Sequence, residues 1–226
     1  MLHTSHQALQ ERLASQYALS QATYFIGQHR FVFFSVASSY DLLDTLPEEY
    51  IAADIMPYWA EIWPASFVLA EYLLEDCQIQ GKQCLELGAG VGVVSVVAAK
   101  AGAEVLATDY VVEALPFIEL NAHANGVSLR TARLDWNDIT LTEKFDVVLA
   151  ADVLYERRNL IAVLAAIDKV LKPDGLALIA TPRREMCSQF PALAIENGFA
   201  VSHIIKPLCL LGRMQPMDIY ELTRKE

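Results

Sequence analysis

Residues 83–92 read QCLELGAGVG, a short apolar run that passes directly into three closely spaced glycines. A run of this length followed by glycine predicts a buried strand that ends in a tight turn. The next stretch, VVSVVAAKAG at 93–102, predicts a buried helix that stops at Gly102. Glycine in such a turn lets the backbone approach a ligand that a Cβ atom would repel. The sequence therefore predicts a strand, a ligand-binding loop and a helix in succession.

Strand and helix patterns continue to alternate after this unit. Further strands are predicted at 104–109, 129–136, 145–152 and 176–181, and further helices at 111–126 and from Leu160 to Leu171. Repeated alternation predicts an α/β fold in which an open, mostly parallel, Rossmann-like sheet carries helices on both faces. Ligands of such sheets bind beyond the carboxyl ends of the strands. The residues that fall at those ends are Gly88, Asp109, Asp135 and Asp152.

The first part of the chain departs from the alternation. FVFFSVAS at 31–38 predicts a strand, and PASFVLAEYLLE at 64–75 predicts a helix that opens with proline. We predict that residues 1–55 form an N-terminal cap, packed on a single domain of residues 56–226.

The C-terminal region predicts a helix and two strands. The helix, at 185–198, contains Pro191 and is expected to be interrupted or bent there. The strands are predicted at 200–207 and 217–224, with a loop between them. Two interpretations stay open for RRE at 183–185 and for residues 210–218: contact with a substrate, or solvated loops, the commoner role of exposed charge.

Composition and charge narrow the class of protein. With 54% hydrophobic and 20% charged residues, the chain is globular. Its formal net charge of -11 argues against nucleic acid as a partner, because that binding depends on Lys and Arg at the phosphates. No run approaches the ~20 apolar residues of a membrane span, so we expect a cytoplasmic protein without a membrane partner. The four cysteines and five histidines lack metal-ligand spacing, so no metal is expected.

The glycine spacing and two acidic residues narrow the ligand class. Dinucleotide sites prefer GxGxxG, whereas this loop is GxGxG, which weakens a pyrophosphate interpretation. Glu86, just before the loop, can accept hydrogen bonds from a ligand ammonium group. Asp109 follows Gly88 at close to the ~20-residue distance expected of a carboxylate that binds ribose hydroxyls. S-adenosylmethionine, a nucleoside with an ammonium group and no phosphate, fits both features.

Five stretches occur in an order and spacing that match one known class of proteins. They are PYWAEIWPAS (57–66), LELGAGVGVVSVVAA (85–99), TDY (108–110), LDW (134–136) and ADVLYE (151–156). On these motifs the chain resembles the seven-β-strand, or class I, S-adenosylmethionine-dependent methyltransferases. Within them it is similar to the protein lysine methyltransferases of methyltransferase family 16, the branch that includes the electron transfer flavoprotein β-subunit enzyme. The resemblance implies a seven-stranded sheet, S-adenosylmethionine as cofactor, and N-methylation of lysine side chains in a protein substrate.

The resemblance also implies roles for individual residues. Those expected around the methionine moiety of the cofactor are Glu86, Gly88, Ala89, Gly90 and Gly92. Those expected elsewhere on the cofactor are Asp109 at the ribose, Asp135 and Trp136 at the adenine, and Trp63, Tyr110 and the main chain of Ala151 in the same pocket. The Asp-x-x-Tyr motif formed by Asp152 and Tyr155 is expected to orient the amine that accepts the methyl group.

Structural roles stay open for some of the same residues. Trp59 and Trp63 are spaced as one apolar face of a helical turn. Asp152 is compatible with a helix N-cap, and Tyr155 with packing. Methylation of a small amine or heterocycle such as nicotinamide would use the same cofactor pocket, and a non-catalytic cofactor-binding module is a further alternative. The oligomeric state is open, with a monomer favoured.

Overall fold

A computed structural model of the chain describes residues 2–44, 46–52, 55–210 and 212–225. The helices are α1 (Leu2–Gln16), α2 (Tyr40–Leu43), α3 (Glu48–Ala52), α4 (Pro64–Glu75), α5 (Val93–Lys100), α6 (Ala114–Ala124), α7 (Arg157–Val170) and α8 (Phe190–Glu196), with short 3-10 helices at Pro57–Ala60 and Glu185–Gln189. The strands are β1 (Leu19–Ile26), β2 (His29–Val36), β3 (Gln83–Leu87), β4 (Glu104–Asp109), β5 (Arg130–Arg133), β6 (Phe145–Ala151), β7 (Leu171–Pro182), β8 (Phe199–Leu210) and β9 (Arg213–Arg224). Within the described ranges, every helix is too short or too polar to span a membrane.

Strands β3 to β9 form one sheet in the order β5-β4-β3-β6-β7-β9-β8. Pairing is parallel from β5 through β7 and antiparallel where β9 meets β7 and β8. Alternate side chains of β6 enter two cores: Val148 and Ala150 pack with α7, whereas Val147 and Leu149 pack with α4 and α5. A strand that is apolar on both sides is covered on both faces. The predicted Rossmann-like sheet of seven mostly parallel strands with helices on both faces is therefore confirmed.

The strand order places the ligand crevice at the centre of the sheet. From β3 the chain winds outward to β4 and β5, and then returns to place β6 and β7 on the other side of β3. Ligands of open α/β sheets bind at such a reversal, beyond the carboxyl ends of the strands. Gly88, Asp109 and Asp152 lie at the ends of three adjacent strands. The topology thereby brings together residues that are far apart in sequence.

The structure corrects the prediction for the C-terminal region. Strands β8 and β9 pair along their whole length, so most residues predicted as a loop belong to a hairpin. Pro207 and Pro216 interrupt the strand patterns in the sequence, because proline lacks the N–H that a ladder bond needs. In the hairpin the two prolines lie opposite each other, so both missing N–H groups fall at one register position. Leu211, inside the predicted loop, lies outside the described residues.

An N-terminal hairpin, formed by β1 and β2, packs beside the main sheet on α6. β2 covers most of the predicted strand at 31–38, whereas β1 was not predicted, because Ser20, Gln21 and Thr23 interrupt its apolar residues. Phe31 and Phe33 of β2 are buried in the same apolar cluster as Val96 and Phe117. The hairpin and the helices of the sheet thus share one core. The boundary at residue 55 stays a prediction.

Two asparagines of α6 dock this hairpin. The Asn121 side chain accepts a hydrogen bond from the Phe34 N–H at 2.7 Å and donates to the carbonyl oxygens of Phe34 and Val91 at 2.9 and 2.8 Å. Asn125 accepts from and donates to the backbone of Val32 at 2.9 and 2.7 Å. The two side chains satisfy backbone groups on the edge of β2 that no strand pairs with. Because Val91 belongs to the glycine-rich loop, Asn121 also ties that loop to α6.

We expect Asn121→Ala to lower the free energy of unfolding by about 1–3 kcal/mol, because it leaves buried backbone groups of Phe34 and Val91 without partners. Asn125→Ala, at a partly exposed position, should cost less. Urea unfolding followed by tryptophan fluorescence measures both variants against the wild type. If Asn121→Ala is as stable as the wild type, the docking role of Asn121 is wrong.

Candidate active site

The loop of residues 88–92 carries the chain from β3 into α5. Gly88 has a φ of +66°, and a Cβ atom there would lie 3.1 Å from the Trp136 ring. Gly92 has a φ of +87°, and a Cβ atom there would lie 2.9 Å from the Ile118 side chain. Residues with a Cβ atom rarely adopt a positive φ, so both positions require glycine. Gly88 keeps space open beside Trp136, whereas Gly92 permits close packing on α6.

A cavity of about 530 Å³ opens beside this loop. Small-molecule sites typically measure about 300–1,000 Å³. The predicted site residues that line it are Trp63, Glu86, Gly88, Ala89, Gly90, Asp109, Tyr110, Asp135, Trp136, Ala151, Asp152 and Tyr155. Gly92 is not among the lining residues, and lies instead at the N-cap of α5. The structure thus brings the predicted residues together in one site, and Gly92 supports that site from the N-cap of α5.

Asp109 joins the glycine-rich loop to the end of β4. Its Oδ2 accepts a hydrogen bond from the Gly90 N–H at 2.8 Å, and its Oδ1 accepts one from the Val111 N–H at 2.9 Å. Burial raises the pKa of Asp109, while the backbone N–H groups of Val111, Gly90 and Tyr110 oppose the rise. A carboxylate has about four acceptor positions, so this one can accept further bonds from ligand hydroxyls.

Glu86 is buried at the end of β3, where Ser95 of α5 donates a hydrogen bond to its Oε2. Burial raises the pKa of Glu86 to about 8; the bond from Ser95 opposes the rise, and the charge of Asp109 adds to it. A positively charged ligand group nearby favours the ionised carboxylate. A ligand cation beside Glu86 would therefore stabilise its ionised form.

Asp135 and Trp136 form another wall of the cavity, just after β5. The Asp135 Oδ1 accepts hydrogen bonds from the backbone N–H and side-chain amide of Asn137, at 2.8 and 3.0 Å. These bonds fix the turn that carries Trp136. The half-buried Trp136 ring stands beside Gly88, where a Cβ atom would lie 3.1 Å from the ring, so glycine leaves room for a ligand group next to it.

Trp59 and Trp63 belong to different elements. Trp59 lies in the 3-10 helix Pro57–Ala60 and is buried, with its ring centroid 5.4 Å from that of Phe117. Trp63 precedes α4, and its Nε1–H donates to the Tyr58 carbonyl oxygen at 2.8 Å. The interpretation of the two tryptophans as one apolar helical face is therefore wrong. Both line the cavity, Trp63 with its ring 5.8 Å from that of Tyr58.

Asp152 follows β6 in a backbone conformation that is uncommon for a residue with a side chain. Its φ is 61°, and its N–H donates to the Ala180 carbonyl oxygen at 2.8 Å. The N-cap of α7 is Glu156, so the interpretation of Asp152 as a helix N-cap is wrong. Unfavourable backbone conformations persist where the surrounding structure imposes them, and they cluster at functional sites.

The carboxylate of Asp152 carries an ion pair. Arg184 Nη1 donates to its Oδ1 at 2.6 Å. No hydrogen bond of ordinary geometry reaches the buried Oδ2 within the described part of the chain. Burial raises the pKa of Asp152, while Arg184 and the nearby backbone N–H of Ala65 oppose the rise. The ion pair leaves the carboxylate with capacity for a further donor.

Several lining residues were not assigned individual roles from the sequence. Those outside the predicted site include Tyr58, Glu61, Ser66, Arg158, Asn159 and Arg184. Tyr58 and Glu61 belong to the family-like stretch 57–66, which offered a signal. Within RRE at 183–185, Arg184 lines the cavity, whereas Arg183 pairs with Asp218 of β9 at 3.3 Å. No sequence pattern separates these two arginines, because the direction of the chain after β7 decides which one enters the cavity.

The residues fit one class of ligand. The glycine-rich loop has a surface that a Cβ atom would obstruct, and the buried carboxylates favour positive charge without phosphate. S-adenosylmethionine carries positive charge and no phosphate, so it fits this site. Together with the Rossmann-like sheet, the site defines the class of S-adenosylmethionine-dependent methyltransferases. The chain belongs to the lysine methyltransferase family, whose model matches residues 56–193.

Two relatives and one solved structure show the extent of the similarity. The chain is 33% identical over 131 residues to EEF1A lysine methyltransferase 3 of Mus musculus, covering 55% of this chain and 56% of that enzyme. It is 32% identical over 154 residues to protein N-lysine methyltransferase METTL21A of Danio rerio, covering 64% and 70%. The fold matches the T. thermophilus 16S rRNA N2 G1207 methyltransferase with AdoMet and guanosine, at a TM-score of 0.67 and 16% identity, over 92% of this chain and 51% of that one. The chain thus spans little more than half the length of the mouse enzyme.

The raised pKa of Glu86 should lower the stability of the ligand-free protein as the pH rises. The unfolded group ionises near 4.5, whereas the folded group keeps its proton to about 8. Between these values the folded state binds more protons, so the contribution of Glu86 to the free energy of unfolding falls with pH and levels off above about 8.

Glu86→Gln removes this titration. We expect the difference in unfolding free energy, variant minus wild type, to grow between about pH 5 and about pH 8 in urea titrations. A difference that stays constant over this range would show that Glu86 does not hold a proton in the folded protein.

Asp109, expected on the ribose, should dominate cofactor affinity. We expect Asp109→Ala to weaken S-adenosylmethionine binding by roughly 1–3 kcal/mol, through lost hydrogen bonds to a charged acceptor. Isothermal titration calorimetry measures this loss. Asp138→Ala, an exposed acidic residue outside the cavity, is the matched control and should bind as the wild type does. Equal affinities of Asp109→Ala and the wild type would overturn the ribose role.

Proposed function

We propose that this chain transfers a methyl group from S-adenosylmethionine to the side-chain amine of a lysine in a protein substrate. The observation that carries the proposal is the buried Asp152 carboxylate, which lines the same cavity as Glu86 and Asp109. A buried carboxylate attracts a cationic group, and lysine is cationic when it arrives. Membership of the lysine methyltransferase family supports the same acceptor.

The proposal divides the cavity between cofactor and acceptor. On the cofactor side, Glu86 faces the ammonium group, the loop backbone contacts the methionine moiety, and Asp109 binds the ribose. The adenine lies against Trp136 with Asp135 beside its amino group, and Trp63 closes the pocket with Tyr110 and the Ala151 main chain. On the acceptor side, Asp152 and Tyr155 orient the amine.

When bound, S-adenosylmethionine supplies an electrophilic methyl carbon on a sulfonium, so the new N–C bond forms as the S–C bond breaks and its electron pair stays on sulfur. The chain's own residues must present the amine without its proton. A lysine with a pKa of ≈ 10.4 is protonated near neutrality, and freeing its lone pair there costs about 4 kcal/mol. Removal from water beside a positive charge lowers that cost.

Asp152 and Tyr155 hold the amine while this happens. Asp152 attracts the cation on arrival, and Tyr155 contacts the nitrogen through its hydroxyl or ring. Although the Tyr155 residue is partly exposed, burial of its hydroxyl group is the main cause that raises its pKa, so the hydroxyl keeps its proton and can donate. The Tyr155 ring centroid lies 5.3 Å from that of Tyr58, which fixes its orientation at the cavity wall.

The rim of the cavity supports a protein substrate over a free small amine. Four large apolar residues that line the cavity are also exposed to solvent: Met56, Tyr58, Tyr110 and Tyr155. Aromatic residues and methionine are enriched in protein interfaces. A lysine side chain could pass this rim toward Asp152 while its own protein rests on the exposed rings.

The proposed setting of the enzyme concerns its location, its oligomeric state and its partners. We propose a cytoplasmic enzyme that acts as a monomer, without nucleic acid or membrane as partner. The net charge of -11 supports the absence of a nucleic-acid partner, because an acidic surface favours basic protein segments over phosphates. Light scattering on the purified protein tests the monomer.

Methyl labelling tests the reaction. The purified protein, incubated with methyl-tritiated S-adenosylmethionine and a cell extract, should label protein. Asp152→Ala should abolish the labelling while cofactor affinity stays within a few fold. Asp146→Ala is the matched control, because Asp146 forms its ion pair with Lys172, at 3.0 Å, from the other end of β6. It should label as the wild type does.

Three outcomes would contradict the proposal. Label in small molecules alone points to a small amine as acceptor. Absence of label with normal cofactor binding points to a non-catalytic module. An unchanged rate in Asp152→Ala removes the acceptor role of that residue.

A further inference from the structure

Arg184 reaches into the acceptor side of the cavity from the loop after β7. Its guanidinium donates to Asp152 Oδ1 at 2.6 Å, where the carboxylate side chain is 3% exposed. The Arg184 backbone N–H donates to the Pro182 carbonyl oxygen at 2.7 Å, which fixes the start of the loop. An ion pair therefore occupies the place where the proposed function requires a carboxylate.

A lone carboxylate at that place would oppose methyl transfer. A negative charge beside an amine stabilises the ammonium form and raises the pKa of the amine. The ammonium has no lone pair and cannot accept a methyl group. Each unit by which the pKa rises costs about tenfold in free amine near neutral pH. Asp152 alone would capture lysine well and keep it unreactive.

We propose that Arg184 is a positioning residue that offsets the charge of Asp152, so that the acceptor amine loses its proton to solvent near neutral pH. This inference rests on the proposed function, because it assigns Arg184 to the amine that the function places at Asp152. Arg184 keeps the carboxylate ionised and oriented, and a carboxylate has acceptor positions enough for both guanidinium and amine.

Other titratable groups line the same cavity. The segment before α4 contributes Tyr58 and Glu61, the strand ends contribute Glu86, Asp109, Tyr110 and Asp135, and the start of α7 contributes Tyr155, Glu156 and Arg158. Glu61 accepts a hydrogen bond from Ser39, and Arg158 forms an ion pair with Glu156. Among the described lining residues, Arg184 is the cation that contacts Asp152. The surrounding acidic groups would also raise the pKa of the amine, so the positive charge of Arg184 has more negative charge to offset.

The pH dependence of protein labelling tests the inference. The readout is the initial rate of tritium transfer to extract protein, divided by the wild-type rate at each pH. We expect this ratio for Arg184→Gln to be about one tenth at pH 7 and to recover toward one at about pH 10. Arg184→Lys keeps the charge and should stay near one throughout. A loss that is equal at every pH would overturn the inference.

Arg183→Gln is the matched control. It removes the same charge one residue earlier, from a side chain that is half exposed and pairs with Asp218 rather than Asp152. Its ratio should not vary with pH. A pH-dependent loss as large as that of Arg184→Gln would mean that general charge, rather than the contact with Asp152, sets the profile, and would overturn the inference.

A second measurement needs no acceptor. Carbon-13 NMR of labelled aspartate carboxyl groups, with Asp152 assigned from the signal that Asp152→Asn removes, gives its pKa directly. We expect the Asp152 pKa to be higher in Arg184→Gln than in the wild type and restored in Arg184→Lys. A rise supports the charge pairing even when no protein is labelled, so failure of the proposed function is distinguishable. An unchanged pKa overturns the inference whichever acceptor is found.

Discussion

Two hydrogen bonds, from the backbone N–H groups of Gly90 and Val111 to the carboxylate of Asp109, hold the cavity together at 2.8 and 2.9 Å. They join the loop that leaves β3 to the segment that leaves β4. One oxygen of the Asp109 carboxyl group accepts from each segment, so this contact fixes the spacing of two strand ends. Trp136 and Asp152 border a space whose shape depends on that spacing.

Three buried carboxylates share this space. As whole residues, Glu86, Asp109 and Asp152 are 2%, 8% and 6% exposed, and burial raises the pKa of each of them. Burying carboxylates is unfavourable unless partners supply compensating charge or hydrogen bonds. Ser95, the loop backbone and Arg184 supply part of that compensation. A ligand that carries positive charge supplies more, whereas a phosphate would add to the repulsion. These charges favour the cationic groups of S-adenosylmethionine over a phosphate-bearing ligand.

Local sequence patterns were sufficient to predict the alternating strands and helices of the sheet. The short apolar runs before Gly88 and Asp109 predict buried strands, and the carboxyl ends of parallel strands meet at one edge of the sheet. Tertiary contacts decided the rest. Nothing near Asn121 in sequence shows that its amide will dock a hairpin 87 residues away. Likewise, Arg184 and Arg183 differ only in the side of the chain from which they project, and the fold alone directs one of them to Asp152.

A crystal structure with bound S-adenosylhomocysteine tests the central claim most directly. The claim is that the glycine-rich loop and two acidic strand ends grip one nucleoside. The ribose hydroxyls should then donate to the carboxylate of Asp109, with the ligand ammonium group at Glu86, directly or through water. A ribose bound away from Asp109, or a phosphate bound in the loop of residues 88–92, would contradict it.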